Sequence, residues 1–170
     1  MTALIRDAVD ADSSALCDIY NYYVLHSCHT FDVTPLNRED MTARIHDIQR
    51  DHGFLVLCSD DTPVGFASYG RFRNRAAYDH VVETSIYLDL HVHGKGWGSM
   101  LYQALLEHAC LRQFHEAVAV IAAPNPASQR LHQRLGFCYC GTIQRSGRKF
   151  DRNIDTVYFQ RSLKQDSPLA

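Results

Sequence analysis

The chain has no long apolar run. Nothing in its 170 residues approaches the roughly 18 that a membrane-spanning helix needs, so no membrane association is expected. Its first residues, MTALIRDAVDADSSAL, lack a cationic segment followed by an apolar one, so no secretory signal is expected and the cytoplasm is the expected location. Charge of one sign is also scarce. Lys plus Arg number 17 against 19 Asp plus Glu, a formal net charge of −2, which argues against nucleic acid as a partner. None of the six cysteines (Cys17, Cys28, Cys58, Cys110, Cys138, Cys140) forms a CxxC pair. They read as reduced thiols, most of them small core residues, with Cys138 and Cys140 on one face if they lie on a strand. There are ten histidines but no HExxH, and His91 and His93 lack a third ligand at a recognisable spacing, so no metal is expected.

What is present suits one ordinary globular domain: 46% hydrophobic, 21% charged and 11% aromatic residues. ALIRDA alternates like a strand. DADSSALCDIYNYYVL reads as a helix with Asp10, Asp12 or Ser13 as cap and Ala15, Ile19 and Tyr22 or Tyr23 at helical spacing. NREDMTARIHDIQRD is a second helix, striped by Met41, Ile45 and Ile48. FLVLCSDDTPVGFASYGRF is a hairpin turning through Asp60, Asp61 and Pro63, and RNRAAYDH is a polar loop. VVETSIYLDL is a strand, SMLYQALLEHACLRQ a helix and EAVAVIAA a buried strand. PASQRLHQRLG is a short helix stopped by Gly136, and FCYCGTIQRSGRK and DTVYFQRSL are two closing strands. The order β α α β β β α β α β β predicts an α/β fold with a mixed sheet over residues 1–165, and 166–170 as a frayed tail.

The segment HVHGKGWGSM, residues 91–100, stands out. Gly94, Gly96 and Gly98 alternate between a strand and a helix. A strand that ends in glycines and opens a helix presents free N–H groups to an anion, best a phosphate, and Lys95 adds positive charge. The pattern is not GxxxxGK[ST], because Lys95 precedes the last two glycines. It is not GxGxxG either, because residue 99 is Ser and the N-terminus has no first βαβ unit. A helix start with turn glycines and no ligand remains the plain alternative.

The longer stretch IYLDLHVHGKGWGSMLYQALLEHA resembles the acetyl-CoA-binding segment of the GNAT superfamily of N-acetyltransferases. That pattern is Gln or Arg, two residues, Gly, one residue, Gly or Ala, and it maps onto His93, Gly96 and Gly98. NPASQRLHQRLGF resembles the superfamily's next segment. IYNYYVLHSCHTFD, FRNRAAYDHVVETSIYL and GRKFDRNIDTVYFQRSL are similar to the branch that acetylates phosphinothricin and methionine sulfone or sulfoximine. The resemblance runs from about Leu4 to Leu163. It implies a single-domain acetyltransferase fold whose mixed central sheet is splayed and flanked by helices. It also implies a homodimer, acetyl-CoA as cosubstrate, and a small amino-acid-like acceptor. Position 93 is His where the family usually has Gln or Arg, and position 153 is Asn where relatives often carry Trp.

Acetyl transfer to an amine needs a base for the ammonium, a donor for the carbonyl oxygen and a proton for the thiolate. Glu83 is the candidate base: a carboxylate in an apolar strand, one strand length before the glycines, where the branch carries its presumed base. The alternative is a carboxylate that faces solvent or pairs an arginine. The resemblance implies Leu88 as the backbone donor and a cofactor site of Ile86, Tyr87, Leu88, His93, Gly94, Lys95, Gly96, Trp97, Gly98, Ser99, Asn125, Ser128 and His132. His132 stands where the wider superfamily often has an acidic Tyr, so it is either the proton donor or a packing contact. Arg71, Arg73 and Arg75 alternate. If extended they point one way and suit an anionic acceptor, with Tyr23, Phe31, Tyr78 and Glu83 as further acceptor contacts. The other readings are protein or peptide acetylation, which would favour an acidic groove, and a non-catalytic acyl-CoA-binding module.

Overall fold

The computed structural model describes residues 2–164. The tail expected at 166–170 lies outside them. Seven strands form one sheet: β1 (Ala3–Asp7), β2 (Gly53–Ser59), β3 (Thr62–Arg71), β4 (Val81–Leu88), β5 (Glu116–Ala123), β6 (Cys138–Lys149) and β7 (Arg152–Ser162). Their order is β1-β2-β3-β4-β5-β7-β6. Only β4 and β5 run parallel, and helix α3 (Trp97–Leu111) crosses between them. The other helices are α1 (Ser13–His26), α2 (Arg38–Asp51) and α4 (Pro126–Arg134).

Strand alternation divides the core. Phe54, Val56, Cys58 and Phe66 point to one face, where Leu16, Ile19, Tyr20 and Tyr23 of α1 and Met41 and Ile45 of α2 cover them. Leu55, Leu57, Ala67, Tyr69 and Val82 point to the other face, under Leu101, Tyr102, Leu105 and Ala109 of α3. Each fully buried leucine here contributes about 1.5–3 kcal/mol. On α1 the stripe runs through Tyr23, while Tyr22 is exposed.

Several local expectations change. Asp12 does not cap α1. Its carboxylate takes two bonds from the Arg6 guanidinium (2.7 and 2.8 Å) and one from the N–H of Val9 (2.9 Å), fixing the turn before the helix. Those bonds hold its pKa below the usual range although burial acts the other way. Helix α3 begins at Trp97, two residues before the expected Ser99. Only Cys17 and Cys58 are buried. Cys28 and Cys110 are half-buried, and Cys138 and Cys140 are exposed. The register of β6 slips between Tyr139 and Gly141, so simple alternation does not carry from Cys138 to Cys140.

Candidate active site

The parallel pairing of β4 and β5 is short. It covers Val81–Thr84 against Glu116–Ala119 and then stops. Beyond Thr84 and Ala119 the strands part and leave a cleft of about 530 Å³. Its walls include Ser85 to Leu88 of β4, Val120 to Ala122 of β5, Gly94, Gly96 and Gly98 after β4, and Asn125, Ser128 and His132 of the α4 region. The backbone edge of β4 in the cleft is open. The N–H of Asp89 donates to Val64 on β3 (2.9 Å), so Leu88, one residue back, turns its polar groups the other way. Its carbonyl accepts the Tyr23 hydroxyl at 2.6 Å, and its N–H opens on the cleft, as does that of Ile86. Tyr87 lies between them with its backbone toward β3. Its ring packs on Tyr20 (4.9 Å), Tyr23 (5.3 Å) and Phe66 (5.4 Å).

The glycine segment closes one end. Gly94 and Gly96 both have φ of +78°, and a Cβ at either would meet no atom within 4 Å. The requirement there is the left-handed backbone itself. The N–H groups of Gly94, Lys95 and Gly96, and those of Trp97 and Gly98 in the first turn of α3, make no backbone hydrogen bond within 3.5 Å. Five consecutive free N–H groups at the positive end of a 15-residue helix fit a pyrophosphate. Opposite, Asn125 Oδ1 caps α4 through the N–H of Ser128 (3.1 Å), with Pro126 as the first helical residue. This leaves the Asn125 NH2 free for a ligand.

The sequence profile described as the acetyltransferase (GNAT) family matches residues 19–137. The chain belongs to this family. It is 35% identical to the phosphinothricin N-acetyltransferase of Streptomyces coelicolor, over 94% of this chain and 95% of that one. It is 36% identical to the L-methionine sulfoximine/L-methionine sulfone acetyltransferase of Pseudomonas aeruginosa, over 96% of each. Among solved structures, a GNAT superfamily phosphinothricin acetyltransferase from Sinorhizobium meliloti in complex with AcCoA superposes with a TM-score of 0.93. The two are 36% identical, over 98% of this chain and 91% of that one.

In this GNAT acetyltransferase, Glu83 lies beside the cleft rather than in its wall. It is the residue before Thr84 and shares the α1-side face with Ser85 and Tyr87. Its side chain is 41% exposed, and burial raises its pKa while Arg73, 3.8 Å away, pulls it down. Tyr23 bridges Leu88 and His93: its hydroxyl lies 3.2 Å from His93 Nε2. Because that hydroxyl donates to Leu88, Nε2 is the donor in the second contact. Burial pushes the Tyr23 phenol up to about 12. Ser99 also lines the cleft. Lys95 and Trp97 do not. The ammonium sits 5.4 Å over the indole, and the indole packs against the core under α3.

The arginine trio does not converge. The chain bends at 72–75 and makes a short turn at Ala76–Tyr78, so the alternation of an extended strand does not apply. Arg73 turns to Glu83. Arg71 pairs with Val82 in the sheet register, on the face opposite Glu83. It contacts Asp79 at 3.3 Å, in a separate small cavity with His52 and Phe114. Arg75 is exposed. Tyr78 is exposed too, edge-on to Phe72 at 5.9 Å. Phe31 lies against Gly147, where a Cβ would collide with its ring.

His132 reaches the cleft but is only 4% exposed. Both its nitrogens are engaged: Nδ1 is 2.7 Å from the Ser128 carbonyl, and Nε2 is 3.0 Å from the Tyr102 hydroxyl. Thr84, His29 and Val92 also line the cleft, and sequence reading did not single them out. Tyr102 stands directly behind it. It hides in the apolar stripe of α3, where a tyrosine and a phenylalanine give the same pattern.

Proposed function

We propose that this protein is an acetyl-CoA-dependent N-acetyltransferase acting on the amino group of a small amino-acid analogue such as phosphinothricin, methionine sulfoximine or methionine sulfone. The observation that carries the reading is the parting of β4 from β5 into a cleft that ends at Gly94, Gly96 and Gly98, whose N–H groups have no carbonyl partner. The names of relatives that align over nearly the whole chain supply the acceptor class. When bound, acetyl-CoA supplies an acetyl group activated as a thioester. Gly94–Gly98 hold its pyrophosphate. The open edges of Ile86 and Leu88 and the Asn125 amide hold its pantetheine arm. The N–H of Leu88 polarises the acetyl carbonyl.

Glu83 takes a proton from the acceptor's ammonium, through water, so that the amine can attack. Burial supports this role because it raises the carboxylate's pKa toward neutrality. Arg73, beside Glu83, suits an anionic acceptor, and the rings of Tyr23 and Phe31 would supply apolar acceptor contacts. Residues 1–165 act as one catalytic domain. The 12-residue edge strand β6, which exposes Tyr139 and Ile143, is the surface on which a homodimer would form. The free thiols, two of them exposed, suit the cytoplasm.

The test is release of CoA thiol from acetyl-CoA with each of the three acceptors against a blank lacking acceptor. Release that depends on one of them is expected. Release with none, in a protein that binds acetyl-CoA, overturns the acceptor and turns attention to peptide amines or to a binding module without turnover.

A further inference from the structure

A line of polar side chains crosses the core at the fork of the cleft. Thr84 and Ala119 are the last paired position of β4 and β5. Thr84 Oγ1 lies 2.5 Å from the hydroxyl of Tyr102 on α3 and 3.1 Å from the Val118 carbonyl on β5. The Tyr102 hydroxyl continues to His132 Nε2 on α4 at 3.0 Å, and His132 Nδ1 ends on the Ser128 carbonyl at 2.7 Å. Tyr102 has no exposed surface, and Thr84 and His132 are buried. The rings of Phe137 and Phe159 pack around the imidazole. The line ties β4, β5, α3 and α4, which all contribute residues to the cleft walls.

The protons follow from the inventory of donors. A carbonyl only accepts, so His132 Nδ1 carries a hydrogen. Burial lowers the pKa of the ring, which is therefore neutral at pH 7 and leaves Nε2 as an acceptor. The hydrogen it accepts comes from Tyr102, whose phenol burial keeps protonated. Tyr102 in turn accepts from Thr84: the single Thr84 hydrogen has two acceptors, the Tyr102 oxygen at 2.5 Å and the Val118 carbonyl at 3.1 Å, and with the Tyr102 hydrogen committed to His132 it goes to the nearer one. This orders the line from Thr84 to Tyr102 to His132 to Ser128. A buried imidazole in that state has no proton to give to a leaving thiolate on its cleft side.

We propose that Tyr102 is a positioning residue for acetyl transfer: with Thr84 it fixes His132 as the neutral Nδ1–H imidazole, ties α3 and α4 to the end of the β4–β5 pairing, and so sets the width of the cleft. His132 is then a strut of the cofactor site and not its general acid. The inference rests on the reading of the cleft as the acetyl-CoA site.

The first measurement is nitrogen NMR of the histidine rings in the free wild-type protein, with His132→Asn supplying the assignment. A protonated Nδ1 and an acceptor Nε2 are expected at pH 7, with protonation only at a lower pH than an ordinary imidazole. An Nε2–H tautomer or an imidazolium at pH 7 overturns the proposal. The second is kinetics. Tyr102→Phe is expected to shift the Nε2 signal and to raise KM for acetyl-CoA about fivefold, with kcat within about twofold and its pH profile intact. Thr84→Val should move KM in the same direction by less, and it decides the matter if Tyr102→Phe does not fold. A His132→Asn enzyme that keeps its KM but loses kcat together with the alkaline limb of its profile would restore the general acid and sink the proposal. Failure of the wild type to bind acetyl-CoA in calorimetry would overturn the functional reading and the positioning role with it. A wrong proton assignment is told apart from that because the tautomer is read without cofactor.

Discussion

The two flanks of β4 differ in what holds them in place. At its C-terminal end the proposed cofactor side is built from backbone: Leu88 and Ile86 with open N–H groups, two left-handed glycines and the first turn of α3. At its N-terminal end the proposed acceptor side is built from side chains on a bent loop, where Arg71 and Arg73 go to opposite faces of the sheet. A site made of backbone tolerates almost any side chain that keeps its dihedral angles. A site made of side chains depends on each residue and on the path of the loop that carries it. Substitutions on the two flanks should therefore fail in different ways.

The largest effect is expected at the junction of the flanks. Glu83→Gln removes the proposed base while keeping its size, and kcat should fall by about 10²–10³-fold. The dissociation constant for acetyl-CoA should stay as it is, because no wall of the cleft is altered. Steady-state rates alongside calorimetry separate the two quantities. A loss of cofactor affinity would place Glu83 in the cofactor flank and break the comparison.

Next comes the backbone flank itself. Gly96→Val forces a β-branched residue into φ of +78°, although space is open around it. The left-handed conformation costs about 1–2 kcal/mol, so acetyl-CoA should bind roughly tenfold more weakly by calorimetry. kcat at saturation should change little. A smaller effect is expected from Arg73→Ala. In the wild type Arg73 opposes the upward push that burial gives Glu83. Without it the carboxylate pKa rises further. A base works deprotonated, so activity should be lost at a higher pH as the solution is acidified. The acid limb of kcat/KM should move to higher pH, and only modestly, because both partners are about half exposed.

The difference between the flanks also explains what the sequence could tell. The glycines at 94 and 96, the strand before them and the helix after them leave a pattern in the residue types, because only glycine takes those dihedral angles cheaply. The element order was readable for the same reason, since strands and helices impose periods of two and 3.6 residues. The arginines were not readable, because alternation has meaning only where the chain is extended and it bends after Arg71. Lys95 and Trp97 sit inside the motif, yet they turn toward each other, away from the cleft. Tyr102 left no signal because its hydroxyl matters only through partners that the fold brings from 18 and 30 residues away.

Arg71→Ala should have the smallest effect, and that makes it the sharpest check on the acceptor flank. From the sequence this residue is as good an acceptor ligand as Arg73. In the folded protein it sits across the sheet from Glu83, against Asp79 at 3.3 Å, with both side chains about half exposed. A pair so placed is worth about 0–1 kcal/mol. The melting temperature should therefore drop by no more than about 3 °C, and KM for the acceptor should stay within about twofold, because no atom lost in the substitution faces the Glu83 side. A large rise in acceptor KM would mean that the 72–75 bend straightens when the acceptor binds, so that all three arginines turn to one face. The acceptor flank would then be a side-chain site assembled by its ligand, and Arg75→Ala should show the same rise.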